Sequence, residues 1–174
     1  MLFGLFRTAA NRKVIDRIHG EIVAAARDPD LFRAYGIEDS LDGRFESLTL
    51  HAAFVLRRLN ALPQPGPDVA QDVTDALFRR FDAALREMGI GDTSVPKHMK
   101  AMAEAFFGRA KAYCAEGIDD QALAAALSRN VYGGKNDGAR LARYMGDVDR
   151  RLARLSLADF MDRSIPFPKP CDID

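Results

Sequence analysis

Few residues in this sequence have the types and spacing that chemistry requires. The most informative polar set is Asp92, Lys97, Lys100, Glu104 and Arg109. Its members from Lys97 onward follow one another at steps of three to five residues. On a helix, such spacing puts several charges along one flank. A flank of this kind is either a solvated face or a surface that guides a charged partner. Asp92, Lys97 and Arg109 can also converge on a small molecule, although together they form an incomplete catalytic set. Asp72 and Asp75 stand three apart, which is ordinary patterning for a helix surface. His19, His51 and His98 form no sequence-local metal cluster. His51 reads as an exposed or hydrogen-bonded helix residue, not as a ligand. The dinucleotide-binding glycine pattern, the phosphate-binding P-loop and HExxH are all absent. No nucleophile stands beside a base. The expectation is therefore no catalytic residue, no cofactor and no metal.

The elements that position these charges are two long helical patterns. The first carries Val73, Leu77, Phe81, Leu85 and Met88 along one face. The second carries Val95, Met99, Met102, Phe106, Ala110 and Tyr113. Gly89 can take the left-handed conformation that ends the first helix. Ser94 or Thr93 can cap the second, and Pro96 falls in its first turn. The pair is expected to form a hairpin at the centre of a bundle. Gly108, inside the second helix, costs about 1 kcal/mol relative to alanine. Close helix approach is the safer explanation for it, and backbone exposed beside a bound polypeptide is the other. Met88, Met99 and Met102 read as core residues that can also supply adaptable contacts.

Around the hairpin, residues 11–26 form a first helix with Val14, Ile18 and Ile22 inward. Asp28 followed by Pro29 starts a short helix that closes at Gly36. A further helix over residues 44–62 buries Phe45, Leu48, Ala52, Val55, Leu56 and Leu59, with Asp42 as a cap. The sequence PQPGP at residues 63–67 reverses the chain. Asp119 caps a helix that places Leu123 and Leu127 inward. Asn136 caps another, with Leu141, Met145, Val148, Leu152 and Leu155 along one side. Ser156 and Asp159 fit a capping box. The prolines of residues 164–174 exclude an ordinary helix and leave an extended strap or a mobile tail. No alternating strand pattern is present. The expected fold is all-α: a compact, single-domain helical bundle of about six to eight helices over residues 1–174.

The chain has 25 basic and 25 acidic residues, a balance that argues against dedicated DNA binding. Residues 129–154 are locally basic, with seven basic side chains against three acidic ones, and can touch ribosomal RNA. Cys114 reads as a buried thiol and Cys171 as an exposed one, and a reducing compartment suits both. No stretch approaches the roughly 20 apolar residues of a membrane span. At the start, Leu2, Phe3, Leu5 and Phe6 precede Arg7, Arg12 and Lys13. That order does not suit a secretory signal. These residues either pack onto the bundle or form a small peripheral anchor on anionic lipid. The expected location is the cytoplasm, with peripheral contact to a membrane from that side.

The sequence FRRFDAALREMGIGD at residues 78–92, VPKHM at 95–99 and EAFFGR at 104–109, followed by Ala112 and Tyr113, resembles the ubiquinol–cytochrome c chaperone family. The resemblance spans roughly residues 30–155 and is most specific at its centre. Phe107 sits where the similar pattern commonly has another aromatic residue. The family includes the mitochondrial assembly factors for cytochrome b, which are not established catalysts. The resemblance implies a non-enzymatic chaperone that binds newly made or unassembled cytochrome b during biogenesis of the cytochrome bc1 complex. It also implies a contact with the translating ribosome. A bacterial-like short form would act at the cytoplasmic face of the inner membrane. The candidate partner-binding residues are Arg79, Arg80, Asp92, Lys97, Lys100, Phe106, Phe107 and Arg109. The alternative is a small-molecule enzyme with a pocket inside the bundle.

Overall fold

The computed structural model describes the backbone of residues 2–173 and the side chains of residues 11–173. In chain order its elements are α1 (Leu2–Ala26), α2 (Pro29–Arg33), α3 (Leu41–Asn60), α4 (Gly66–Glu87), α5 (Val95–Tyr113), α6 (Asp120–Tyr132), α7 (Ala139–Ala153), α8 (Leu157–Asp162) and a 3-10 turn (Pro170–Asp172). No strand occurs among the described residues, so the all-α expectation holds. The side chains of Leu2, Phe3, Leu5, Phe6 and Arg7, on which the anchor reading rests, lie outside the described residues.

The axis of the bundle is α3, and the α4–α5 hairpin packs on its flank. Residues 49–56 are buried without interruption. Around them α3 touches α1, α4, α5, α6 and α7. A helix covered on all sides must satisfy whatever polar groups it carries. Ser47 does so by donating to the Ala26 carbonyl at 2.8 Å. His51 lies with Nδ1 2.8 Å from the Ser47 carbonyl and Nε2 3.0 Å from the Tyr144 hydroxyl. The carbonyl only accepts, so Nδ1 carries the proton and Nε2 accepts from Tyr144. This is a neutral, fully used imidazole, and burial pushes its pKa down to about 4. Of the two sequence readings of His51, the hydrogen-bonded one is correct.

Three helix starts follow the sequence signals. Asp28, Asp119 and Ser156 each accept from a backbone N–H in the first turn of their helices. The Ser156–Asp159 capping box is complete. Gly89 adopts φ +81° and ends α4 as expected. Three caps differ. Ser40, not Asp42, caps α3 by accepting from Gly43 N–H at 3.2 Å. Ser94 occupies the cap position of α5 but makes no side-chain bond there. Asn136 accepts from Gly138 N–H, and Asp137 is the residue that binds Ala139 N–H at the start of α7.

The tail after α8 is a strap. Ile165, Pro168 and Pro170 are buried. The Tyr35 hydroxyl donates to the Pro170 carbonyl at 2.9 Å. Ile165 N–H donates to Glu21 at 3.0 Å, and Phe167 meets the His51 ring edge-on. The strap therefore packs across α1, α2 and α3 with backbone bonds that proline-rich chain can still make.

Candidate partner-binding site

Five phenylalanines join α3, α4 and α5 in one aromatic cluster. Phe45 on α3 meets Phe81 at 5.7 Å between centroids, and Phe81 meets Phe78 at 5.5 Å. Phe78 in turn contacts Phe106 edge-on at 5.5 Å and stacks on Phe107 at 5.8 Å. The two adjacent residues of α5 have opposite fates. Phe106 is fully buried, whereas Phe107 is 54 % exposed. Phe107 is thus the part of the pair that a partner can reach, and Phe106 supports it from beneath. An aromatic ring fixed by stacking and edge contacts offers contact area at little entropic cost.

Beside Phe107, an open cleft of about 400 Å³ runs between α3, α4 and α5. Its apolar walls include Ala53, Leu56, Ala70, Phe106 and Ala110. Gln71, Thr74 and Arg57 add polar groups. Arg57 pairs with Asp149 and lies over the Phe54 ring at 4.7 Å, which fixes its direction. Cys114 also lines the cleft, and burial holds its thiol up at about 11. It is therefore a poor nucleophile at neutral pH.

The charged candidates do not act as one group. Lys97 is exposed and makes no ion pair among the described residues. Lys100 reaches Glu104 at 3.8 Å across solvent, a contact worth little. Asp92 pairs with Arg86 of α4, which also binds Asp82 at 2.8 Å. Arg79 and Arg80 are exposed on α4, so the rotation left open by the sequence turns both outward. Arg109 turns away from the Lys97–Glu104 flank and binds Glu46 of α3 at 2.5 Å. The expected sharing of one flank therefore ends at Glu104. Asp92 pairs with Arg86, Lys97 stands in solvent and Arg109 binds Glu46, so the three do not converge as the enzyme alternative requires.

Glu46 is the residue that the sequence reading missed. It is 6 % exposed, and burial pushes its carboxyl up against the opposing pull of Arg109. Arg109, by the same contact, is held firmly charged. The two directions agree on a close ion pair whose burial is only partly compensated. An acidic residue between Phe45 and the apolar stripe of α3 was the available signal.

Gly108 has no packing duty. A Cβ added there would meet nothing within 4 Å. The close-approach reading is therefore wrong, and the glycine leaves helix backbone open to solvent beside Phe107. Met88 is exposed at the end of α4, while Met99 and Met102 pack partly against the core. Among the described residues, no three His, Cys, Asp or Glu side chains gather as a metal site. No helix there is long and apolar enough to cross a membrane.

The comparisons with known proteins agree with one another. The crystal structure of the Cbp3 homolog from Brucella abortus is 34 % identical in sequence, and the match covers 100 % of both chains with a TM-score of 0.89. No curated protein matches the chain. The model of the family described as ubiquinol-cytochrome C chaperone matches residues 33–167, which include every candidate contact residue and the cleft. On that match, this chain is a member of the ubiquinol-cytochrome C chaperone family.

Proposed function

We propose that this chain is a non-enzymatic assembly factor that holds newly made or unassembled cytochrome b while the cytochrome bc1 complex is built. The observation that carries the proposal is the exposed Phe107, stacked on Phe78 at the edge of an open apolar cleft. A hydrophobic client segment loses solvent-exposed area against such a surface and is kept from aggregating. Lys97, Lys100, Arg79 and Arg80 lie exposed on the same hairpin and orient the encounter. Membership of a chaperone family supports this reading of the client. The work takes place in the cytoplasm at the face of the inner membrane, where the client is inserted. A contact with the translating ribosome and with anionic lipid belongs to the same proposal.

The test is a photo-crosslinking residue placed at position 107 of the full chain in cells that assemble a bc1 complex. Covalent capture of unassembled cytochrome b from position 107, and not from the exposed position 120 on α6, is the expected result. Equal capture from both positions, or none from position 107 while assembly proceeds, would overturn the assignment of this surface.

A further inference from the structure

We propose that α5 is a displaceable cover that unravels from α3, α4 and α6 as a unit while the rest of the bundle stays folded. Three independent features of α5 lead there. The first is thin burial. Only Val95, Phe106 and Tyr113 of its 19 residues are buried, against eight residues in α4 and twelve in α3. Regions with few buried apolar contacts open at lower free energy than the core around them.

The second feature is the polar seam between α3 and α5. Glu46 of α3 meets Arg109 of α5, and Thr49 and Tyr113 stand about one helical turn further along their helices. The ion pair of Glu46 and Arg109 is buried on the Glu46 side. The hydroxyls of Thr49 and Tyr113 are both buried without a hydrogen-bond partner. The Tyr113 hydroxyl lies near Asn130 but closes no bond of ordinary geometry. A buried hydroxyl without a partner forfeits its hydration, so each one lowers the gain from closing the seam. Opening α5 returns both to water.

The third feature is Gly108. It stands in mid-helix with open space where its side chain would be, so nothing in the packing requires it. Its effect is to weaken the helix itself. The start of α5 lacks a side-chain cap, because Ser94 makes no capping bond, so the helix is held mainly by Val95, Phe106 and Tyr113. Opening would bare Phe45, Phe78 and Phe81 together with the α3 and α4 walls of the cleft, and would take away its α5 wall. The use of that surface by a client rests on the proposed function. The opening itself is a property of the free chain.

The experiment is native-state amide exchange on the full-length chain without any partner, for wild type, Gly108→Ala and Tyr113→Phe. Amides of α5 should exchange together and well before those of α3. Gly108→Ala should slow exchange in α5 about fivefold and leave α3 unchanged, the factor that about 1 kcal/mol of helix propensity represents. Tyr113→Phe should also slow α5, because it removes an unsatisfied hydroxyl at nearly constant shape. The inference is overturned if α5 is as protected as α3, or if Gly108→Ala slows both helices alike or neither. It is also overturned if Tyr113→Phe speeds α5 exchange. None of these outcomes depends on cytochrome b, so failure here leaves the client assignment to its own test.

Discussion

Arg109 of α5 reaches across the bundle to Glu46 of α3, with Nε 2.7 Å from Oε1 and the carboxylate almost fully buried. Removing the guanidinium would strand that carboxylate. Arg109→Ala should lower unfolding free energy by about 3 kcal/mol in urea titrations, the usual cost of breaking a buried pair. Replacing both residues together, Glu46→Leu with Arg109→Met, should stay within about 1 kcal/mol of wild type. An Arg109→Ala chain of wild-type stability would show that the pair does not persist in solution. Arg109 is consequently a poor choice for probing a partner surface, because its removal also damages the fold.

His51 sets a pH limit on stability. Its neutral form is buried, and its pKa falls from 6.5 to about 4 in the folded chain. A base whose folded pKa is depressed contributes fully above 6.5, where neither state is protonated. Below that value the unfolded chain gains a proton that the folded chain refuses. Stability should therefore drop as pH falls from 6.5 towards 4, by about 3 kcal/mol for this group. His51→Gln should flatten that part of the profile in denaturant titrations across pH. An unchanged slope would mean that another group dominates acid sensitivity.

Phe107 should be important for partner contact and minor for the fold. Its ring is half in water, and its stack on Phe78 is worth about 1 kcal/mol. Phe107→Ser should leave the helical circular dichroism spectrum intact and lower unfolding free energy by about that amount or less. Capture of unassembled cytochrome b should fall at least several-fold. Full capture by the folded variant would remove Phe107 from the contact surface. Phe106→Ser should behave differently and cost roughly 3 kcal/mol or more, since that ring is wholly buried.

The strap should matter to stability. Ending the chain after Arg163 removes buried Ile165 and Pro170 and leaves the Tyr35 hydroxyl without the Pro170 carbonyl. The expected loss is roughly 3 kcal/mol or more, read as a lower urea midpoint. The same truncation takes Phe167 off the His51 ring, so the acid sensitivity described above should weaken with it. A truncated chain as stable as the full one would show that the strap is only draped on the surface.

The helices were legible because their signals are local. Asp28, Asp119 and Ser156 announce helix starts, and Gly89 announces an end. The spacing of Val73, Leu77, Phe81 and Leu85 reports one buried face. The central helix was not legible as central, because periodicity identifies a helix with two faces. Ser47, Thr49 and His51 look like the wet side of α3 until Ala26 and Tyr144 arrive from elsewhere in the chain to bind the first and last of them. The candidate site was legible as a hairpin but not as a surface. Phe106 and Phe107 are chemically identical neighbours, and only the helix phase decides which is buried. Arg109 looked like the next member of a lysine flank. Its true partner, Glu46, lies 63 positions away, a distance that no local pattern spans.

The most direct test of the assembly role is deletion of this chain in a native host that builds a bc1 complex and carries no second family member. The expected result is loss of mature bc1 complex, measured by its haem absorbance, with cytochrome b transcript unchanged. Returning the intact chain should restore the complex and co-purify unassembled cytochrome b. Normal bc1 content in the deletion strain would contradict the account.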